Sequence, residues 1–290
     1  MKRIVSLLIS IMLMFGLAVP ALADNNVSCV VIGANLSDEQ VAQVYEYFGI
    51  ARGSVTELTV TNAEERKYLE GLVSEEVIGK NSISCVYVEL MAEGSGISVS
   101  THNISWCTAD MYKNALETAG ITDARIIVAA PFEVSGTAAL TGIYKAYEHI
   151  TGNELDSEAK QVSTEELTIT GELSDLVGSE DAAAVIREVK DILNETGKMS
   201  DEDLRATVKQ VALDYDLVLN DSELNRIVQW CRKLEKLDID SIVEHVNQIQ
   251  ETVGKVSKAK DNVVNFATKV HNFFVTISGY VDTIKGWFGK

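Results

Sequence analysis

The chain has 290 residues, 46% of them hydrophobic and 23% charged, an ordinary globular composition that excludes disorder as the default. Its formal net charge of −18 at pH 7 opposes contact with nucleic acid and other polyanions.

The chain opens on Lys2 and Arg3, an apolar run from Ile4 to Ala18, and the small-residue sequence Ala21-Leu22-Ala23. That is the pattern of a signal peptide over residues 1–23, cut near Ala23. The run is shorter than the roughly 20 residues a spanning helix needs. The expected location is therefore secreted or in the cell envelope. Cleavage leaves 23 Lys and Arg against 43 Asp and Glu, a net −20. The charge is uneven: net −10 over residues 24–152, −14 over 153–252 and +4 over 253–290. Cys29 lies eleven residues past Ala18, too far into the chain for a lipoprotein anchor.

In chain order, residues 27–32 read as a strand, and Ser37-Asp38-Glu39-Gln40 as a capping box opening a helix through Phe48 that Gly49 ends. Residues 55–60 are β-rich. Residues 62–69 look helical, with Glu64, Glu65, Arg66 and Lys67 on the exposed side. Residues 83–91 and 97–106 predict a hairpin turning at Gly94-Ser95-Gly96. Thr108 caps a helix running to Ala119, with Gly120 past its end. Residues 125–129 form a short buried strand ended by Pro131, and residues 137–150 a helix with Ser135 as its candidate cap. Strands interleaved with helices predict an α+β or α/β domain with a mixed sheet over residues 24–152. From Asp156 the spacing is helical. Ser179, Ser200 and Asn220 mark helix starts, Gly197 marks a helix end, and no proline follows Pro131. These features predict an acidic, all-helical region over 153–252.

The tail repeats every seven residues through Ile242, Ile249, Val256, Val263, Val270, Ile277 and Ile284, with Phe273, Tyr280 and Trp287 beside them. Residues 253–290 therefore read as a basic, aromatic amphipathic helix. Its stripe suits packing in a helical bundle, contact with a second copy, or contact with a membrane surface or envelope component. For the last two readings the contact residues are Phe273, Phe274, Trp287 and Phe288.

Cys29, Cys85, Cys107 and Cys231 fit either buried thiols or one disulfide, with Cys85 and Cys107 flanking the predicted hairpin. The most site-like segment is Ser135-Gly136-Thr137. A strand followed by a small, hydroxyl-bearing helix start can hold an anion on free backbone N–H groups. The segment is neither a Walker loop nor a Gly-x-Ser-x-Gly elbow. The plainer reading makes Ser135 a helix cap. His102, His149, His245 and His271 have no zinc spacing, and Asp214-Tyr215-Asp216 lacks the glycine and closing glutamate of a calcium loop. No metal and no cofactor are expected. Trp106, Tyr112, Tyr144 and Tyr147 could line a sugar groove, although Tyr144 and Tyr147, three apart on a helix, are better placed to pack inward.

Several blocks in order resemble one family. They are Ile32-Gly33-Ala34-Asn35-Leu36-Ser37, Val60-Thr61-Asn62-Ala63-Glu64-Glu65-Arg66-Lys67-Tyr68-Leu69, Val86-Tyr87-Val88-Glu89-Leu90 and Pro131-Phe132-Glu133-Val134-Ser135-Gly136-Thr137-Ala138-Ala139-Leu140-Thr141-Gly142. These resemble the YpuA-like family of exported proteins, known as domain of unknown function 1002, over roughly residues 24–270. The resemblance implies an extracytoplasmic protein and supplies no reaction or catalytic residue. The expected function is a non-enzymatic, envelope-associated or secreted binding protein. The alternative is an extracellular hydrolase of wall or carbohydrate material, its cleft near residues 131–141.

Overall fold

A computed structural model describes residues 27–196 and 199–237. In order, the elements are β1 (Ser28–Gly33), α1 (Asp38–Phe48), β2 (Thr56–Val60), α2 (Asn62–Leu69), α3 (Glu75–Ile78), β3 (Cys85–Leu90), β4 (Ile97–Ile104), α4 (Ala109–Thr118) and β5 (Ala124–Val134). There follow α5 (Thr137–Thr151), α6 (Ser157–Val177), α7 (Ser179–Thr196), α8 (Asp201–Asp214) and α9 (Asp221–Leu234). The fold is α+β: a mixed five-stranded sheet with packed helices, then helices alone. The expected leader over residues 1–23, residues 253–290 with Phe273, Phe274, Trp287 and Phe288, and the expected helix stop at Gly197 lie outside the described residues. Among the described residues no helix is long and apolar enough to cross a membrane.

The sheet order is β2-β1-β3-β5-β4. β1 runs parallel to β2, β4 runs parallel to β5, and β3 is antiparallel to both β1 and β5. Each parallel pair is joined through a helix, α1 or α4, as parallel neighbours require. The predicted hairpin does not form, because β5 lies between β3 and β4. Burial gives the reason. β3 is covered on both faces, as a central strand with two partners must be, whereas β4 alternates in exposure like an edge strand. The Gly94–Gly96 bend instead rests on the start of β5, where the Gly96 N–H donates to Asp123 Oδ1 at 2.7 Å.

β5 also runs past its predicted end. Its ladder with β4 breaks after His102↔Ala129 and resumes at Ile104↔Val134. Pro131, which has no N–H to give, falls within this irregular stretch. Asn103, at φ 57°, makes the bend on β4 and donates to the Ala130 carbonyl at 2.8 Å.

Alternation along the strands divides the core. Val30, Ile32, Cys85, Tyr87, Ile127 and Ala129 pack with Val41, Val44, Tyr45 and Phe48 of α1. Cys29, Val31, Val86, Val88, Ile126 and Val128 pack with α4 and α5 on the other face. Cys85 and Cys107 therefore belong to opposite faces and cannot be bridged. All four cysteines are free and buried. Burial pushes each thiol up to about 12, so none is a ready nucleophile.

Local signals hold well in this half. Ser37, Thr61 and Thr108 each accept from the N–H three residues on, with the reciprocal capping-box bond. In the helical half, Asn220 makes the same pair of bonds for α9, and Ser200 caps α8 by accepting from the Asp203 N–H. The helices there share a cluster built on Val185, Ile186, Leu204, Val208, Ile227 and Trp230.

α6 lies between the two halves and is buried on every side from Val162 to Gly171 despite its polar sequence. Leu167 joins the sheet-side cluster, while Val162, Ile169 and Leu173 join the helical one. Its hydroxyls turn back onto the helix: Thr164 donates to Lys160 O, Thr168 to Glu165 O and Thr170 to Glu166 O. Its acids meet cations from the later helices. Lys190 Nζ lies 2.9 Å from Glu166, and Lys233 Nζ lies 2.7 Å from Glu165.

Candidate functional site

The chain leaves the sheet at Val134 and enters α5 at Thr137, so the two residues between strand and helix must turn tightly. Gly136 makes this turn at φ +96° as the N-cap of α5. Ser135 does not cap the helix. A Cβ at position 136 would fall 2.5 Å from Ile104 Cγ2 and 2.6 Å from the Tyr112 hydroxyl. Glycine is thus required twice over, by dihedral and by space. The turn is stitched to its neighbours. The Tyr112 hydroxyl donates to Gly136 O at 2.6 Å, and the Cys107 N–H donates to Ser135 O at 2.9 Å.

In front of this turn lies a cavity of about 250 Å³. Ser135, Gly136, Thr137 and Ala138 form one side, and Glu76–Lys80 with Asn81, Ile83 and Ser84 form the other. The second wall is held by Arg66, whose guanidinium pairs with Glu75 at 2.8 and 2.7 Å and donates to Gly79 O at 3.0 Å. Arg226 of α9 donates to Leu72 O at 2.9 Å, joining the loop before that wall to the helical half. At the β1 side, a Cβ on Gly33 would lie 2.5 Å from Ser82 O, so the Ile32-Gly33-Ala34-Asn35 block serves close backbone packing beneath the wall. Asn35 fixes that contact by accepting from the Ser82 N–H at 2.9 Å.

Glu65 also lines the cavity and is the residue sequence reasoning misplaced. It was expected on the exposed side of α2, yet it is 0% exposed. Its Oε1 accepts from the Thr137 hydroxyl at 2.5 Å and its Oε2 from Asn62 Nδ2 at 3.2 Å. The Thr137 hydroxyl in turn lies 3.3 Å from Ser135 Oγ. A buried carboxyl of the chain itself thus meets the head of α5, the place the sequence offered to an anion as the less plain of two readings. Burial pushes the Glu65 carboxyl above the ordinary glutamate value, outweighing the bonds from Thr137 and Asn62 and the charge of Arg66. The helical repeat held the missed signal: residue 65 is four before Leu69, which is also buried, so both share one face.

The structure brings Ser135, Gly136 and Thr137 together at the cavity. It places the other sequence candidates elsewhere. His102 stacks on Tyr47 at the sheet edge with ring centroids 5.0 Å apart, and His149 is exposed near the end of α5. His245 and His271 lie outside the described residues. Among the described residues no group of three or more His, Cys, Asp or Glu converges as metal ligands. Tyr112, Tyr144 and Tyr147 are core residues, and Trp106 packs over Gly171, so these four form no sugar-binding platform.

The comparisons with known proteins fit the early resemblance. The model of a family described as "Protein of unknown function (DUF1002)" matches residues 32–255. The chain is 38% identical over 270 residues to the "Uncharacterized protein YpuA" of Bacillus subtilis (strain 168), covering 92% of this chain and 90% of that protein. No solved structure matches. The chain belongs to the DUF1002 family, whose function is unknown.

Proposed function

We propose that the protein acts outside the cytoplasm as a binding protein, with its ligand seat in the cavity at the head of α5. The observation that carries this reading is a concave site bordered by a buried carboxyl and by the hydroxyls of Ser84, Ser135 and Thr137. Small-molecule seats combine apolar walls with a few convergent polar groups, and here Val77, Ile78, Ile83 and Val134 stand around Glu65, Ser84, Ser135 and Thr137. The leader-like residues 1–23 support export, and the basic aromatic stripe of 253–290 supports attachment to a membrane surface or envelope component.

A soluble-fragment screen read by backbone amide NMR tests the seat. Hits should cluster on the amides of residues 80–84 and 135–138, and Ser135→Phe should abolish them without lowering the melting temperature by more than a few degrees. Hits that ignore this cavity, or survive Ser135→Phe, would refute the reading.

The hydrolase alternative has one specific support, the hydroxyl chain from Ser135 through Thr137 to Glu65. It requires that Ser135→Ala and Thr137→Ala each abolish turnover of a wall or carbohydrate substrate. Turnover unchanged in both variants would eliminate it.

A further inference from the structure

We propose that this cavity is a seat for a primary ammonium group, with the Glu65 carboxylate as its counter-ion, so that its ligands are small organic amines. The inference rests on the binding reading above and adds the chemical class of the ligand.

The argument starts from what Glu65 lacks. An ionised carboxylate can accept about four hydrogen bonds. Glu65 accepts from the Thr137 hydroxyl and the Asn62 amide, both neutral donors. It takes part in none of the ion pairs among the described residues. Its neighbour Arg66 is turned away, with both terminal nitrogens on Glu75 and its Nε donating to Asn62 Oδ1 at 3.0 Å. A buried carboxylate without a cation is costly, so it is either protonated or partnered from outside. Among the described residues the approach is the cavity it borders, and because Glu65 is 0% exposed an entering ammonium must displace the groups that cover it, the Thr137 hydroxyl among them.

The surrounding chemistry selects the partner. A primary ammonium has three donors in one compact charge. One can meet Glu65, and Ser135 and Ser84, which also line the cavity, offer hydroxyl acceptors. An anionic ligand would instead stand beside Glu65 in a poorly hydrated site. A quaternary ammonium would bring charge without the donors. The volume of about 250 Å³ suits a small amine and excludes a polymer from its depth.

Charged neighbours set the pH dependence. Arg66 lies on the same helix with Glu75 paired to it, Glu76 and Lys80 line the cavity, and Cys107 and Tyr112 lie behind the turn. The two last stay neutral at physiological pH, because burial raises both. Binding an ammonium favours ionised Glu65 and so expels a proton wherever the free protein holds one. Affinity should therefore rise with pH through the range in which Glu65 titrates, then level off.

The test is a set of amide-NMR titrations of the full chain with ethanolamine, ethylene glycol, tetramethylammonium and acetate. Ethanolamine should shift the amides of residues 80–84 and 135–138, and the other three should not. Glu65→Gln should weaken ethanolamine at least tenfold and remove the pH dependence, while its melting curve shows that it is folded. Ethylene glycol or acetate binding at those amides as well as ethanolamine would overturn the ammonium class and leave the binding reading standing. Silence toward ethanolamine, with fragment hits at the same amides, would do likewise. Silence toward both would overturn the two together.

Discussion

At the scale of single residues, two positions decide whether the site exists. Gly136 holds a left-handed turn under Ile104 and Tyr112, where any side chain is both strained and crowded. Gly136→Ala should cost about 1–3 kcal/mol from the backbone alone, and more from the clash, measured by urea unfolding. A cost below half a kilocalorie per mole would show that the turn readily rearranges. Glu65 predicts a pH effect with a definite sign. Its folded carboxyl titrates above the unfolded value, so the folded state holds the extra proton between the two. Stability should fall as pH rises from the ordinary glutamate range to the raised folded value, and stay level above it. Glu65→Gln should remove that part of the fall and raise the melting temperature at neutral pH. An unchanged pH profile in the variant would show that Glu65 is not the group responsible.

At the scale of elements, α6 is the test of how two cores are joined. Glu166 is 0% exposed and is held by Lys190 at 2.9 Å and by the Thr118 hydroxyl, while the same ammonium donates to Asn114 O at 3.0 Å. Lys190→Met would leave that acid without its cation, a change that typically costs 3–5 kcal/mol. Lys190→Met combined with Glu166→Gln should recover a large part of the loss, as a double-mutant cycle would measure. Full additivity would mean the pair does not couple. The same helix shows where sequence legibility ended. Caps at Ser37, Thr108, Ser200 and Asn220 were readable because each is a local bond between a side chain and a backbone N–H three residues away. The partner of β3 was not, because inserting β5 between β3 and β4 depends on burial of both faces of β3, a long-range property. The polar buried helix was not either, since Lys190, Arg226 and Lys233 that neutralise or bond it come from distant segments. At the site, the Ser135-Gly136-Thr137 turn was legible from its composition. Its carboxyl was hidden in a run of four charged residues that looked uniformly solvated.

At the scale of the whole molecule, the cavity sits at the head of α5: its wall is tied to α2 by Arg66, and the loop between α2 and α3 that leads into it is tied to α9 by Arg226. Ligand in the seat should thus stabilise the molecule as a unit, seen as a single shifted melting transition. The tail is a separable claim. Deleting residues 253–290 should release the protein from anionic liposomes or cells and leave the melting transition of the remainder cooperative. Retention unchanged by the deletion would remove the attachment role without touching the cavity. The most direct measurement of the central claim is a crystal structure grown with ethanolamine at saturating concentration. The account predicts density for the amine within hydrogen-bond distance of Glu65 and Ser135. An empty cavity at saturation, or density only at another surface, would contradict it.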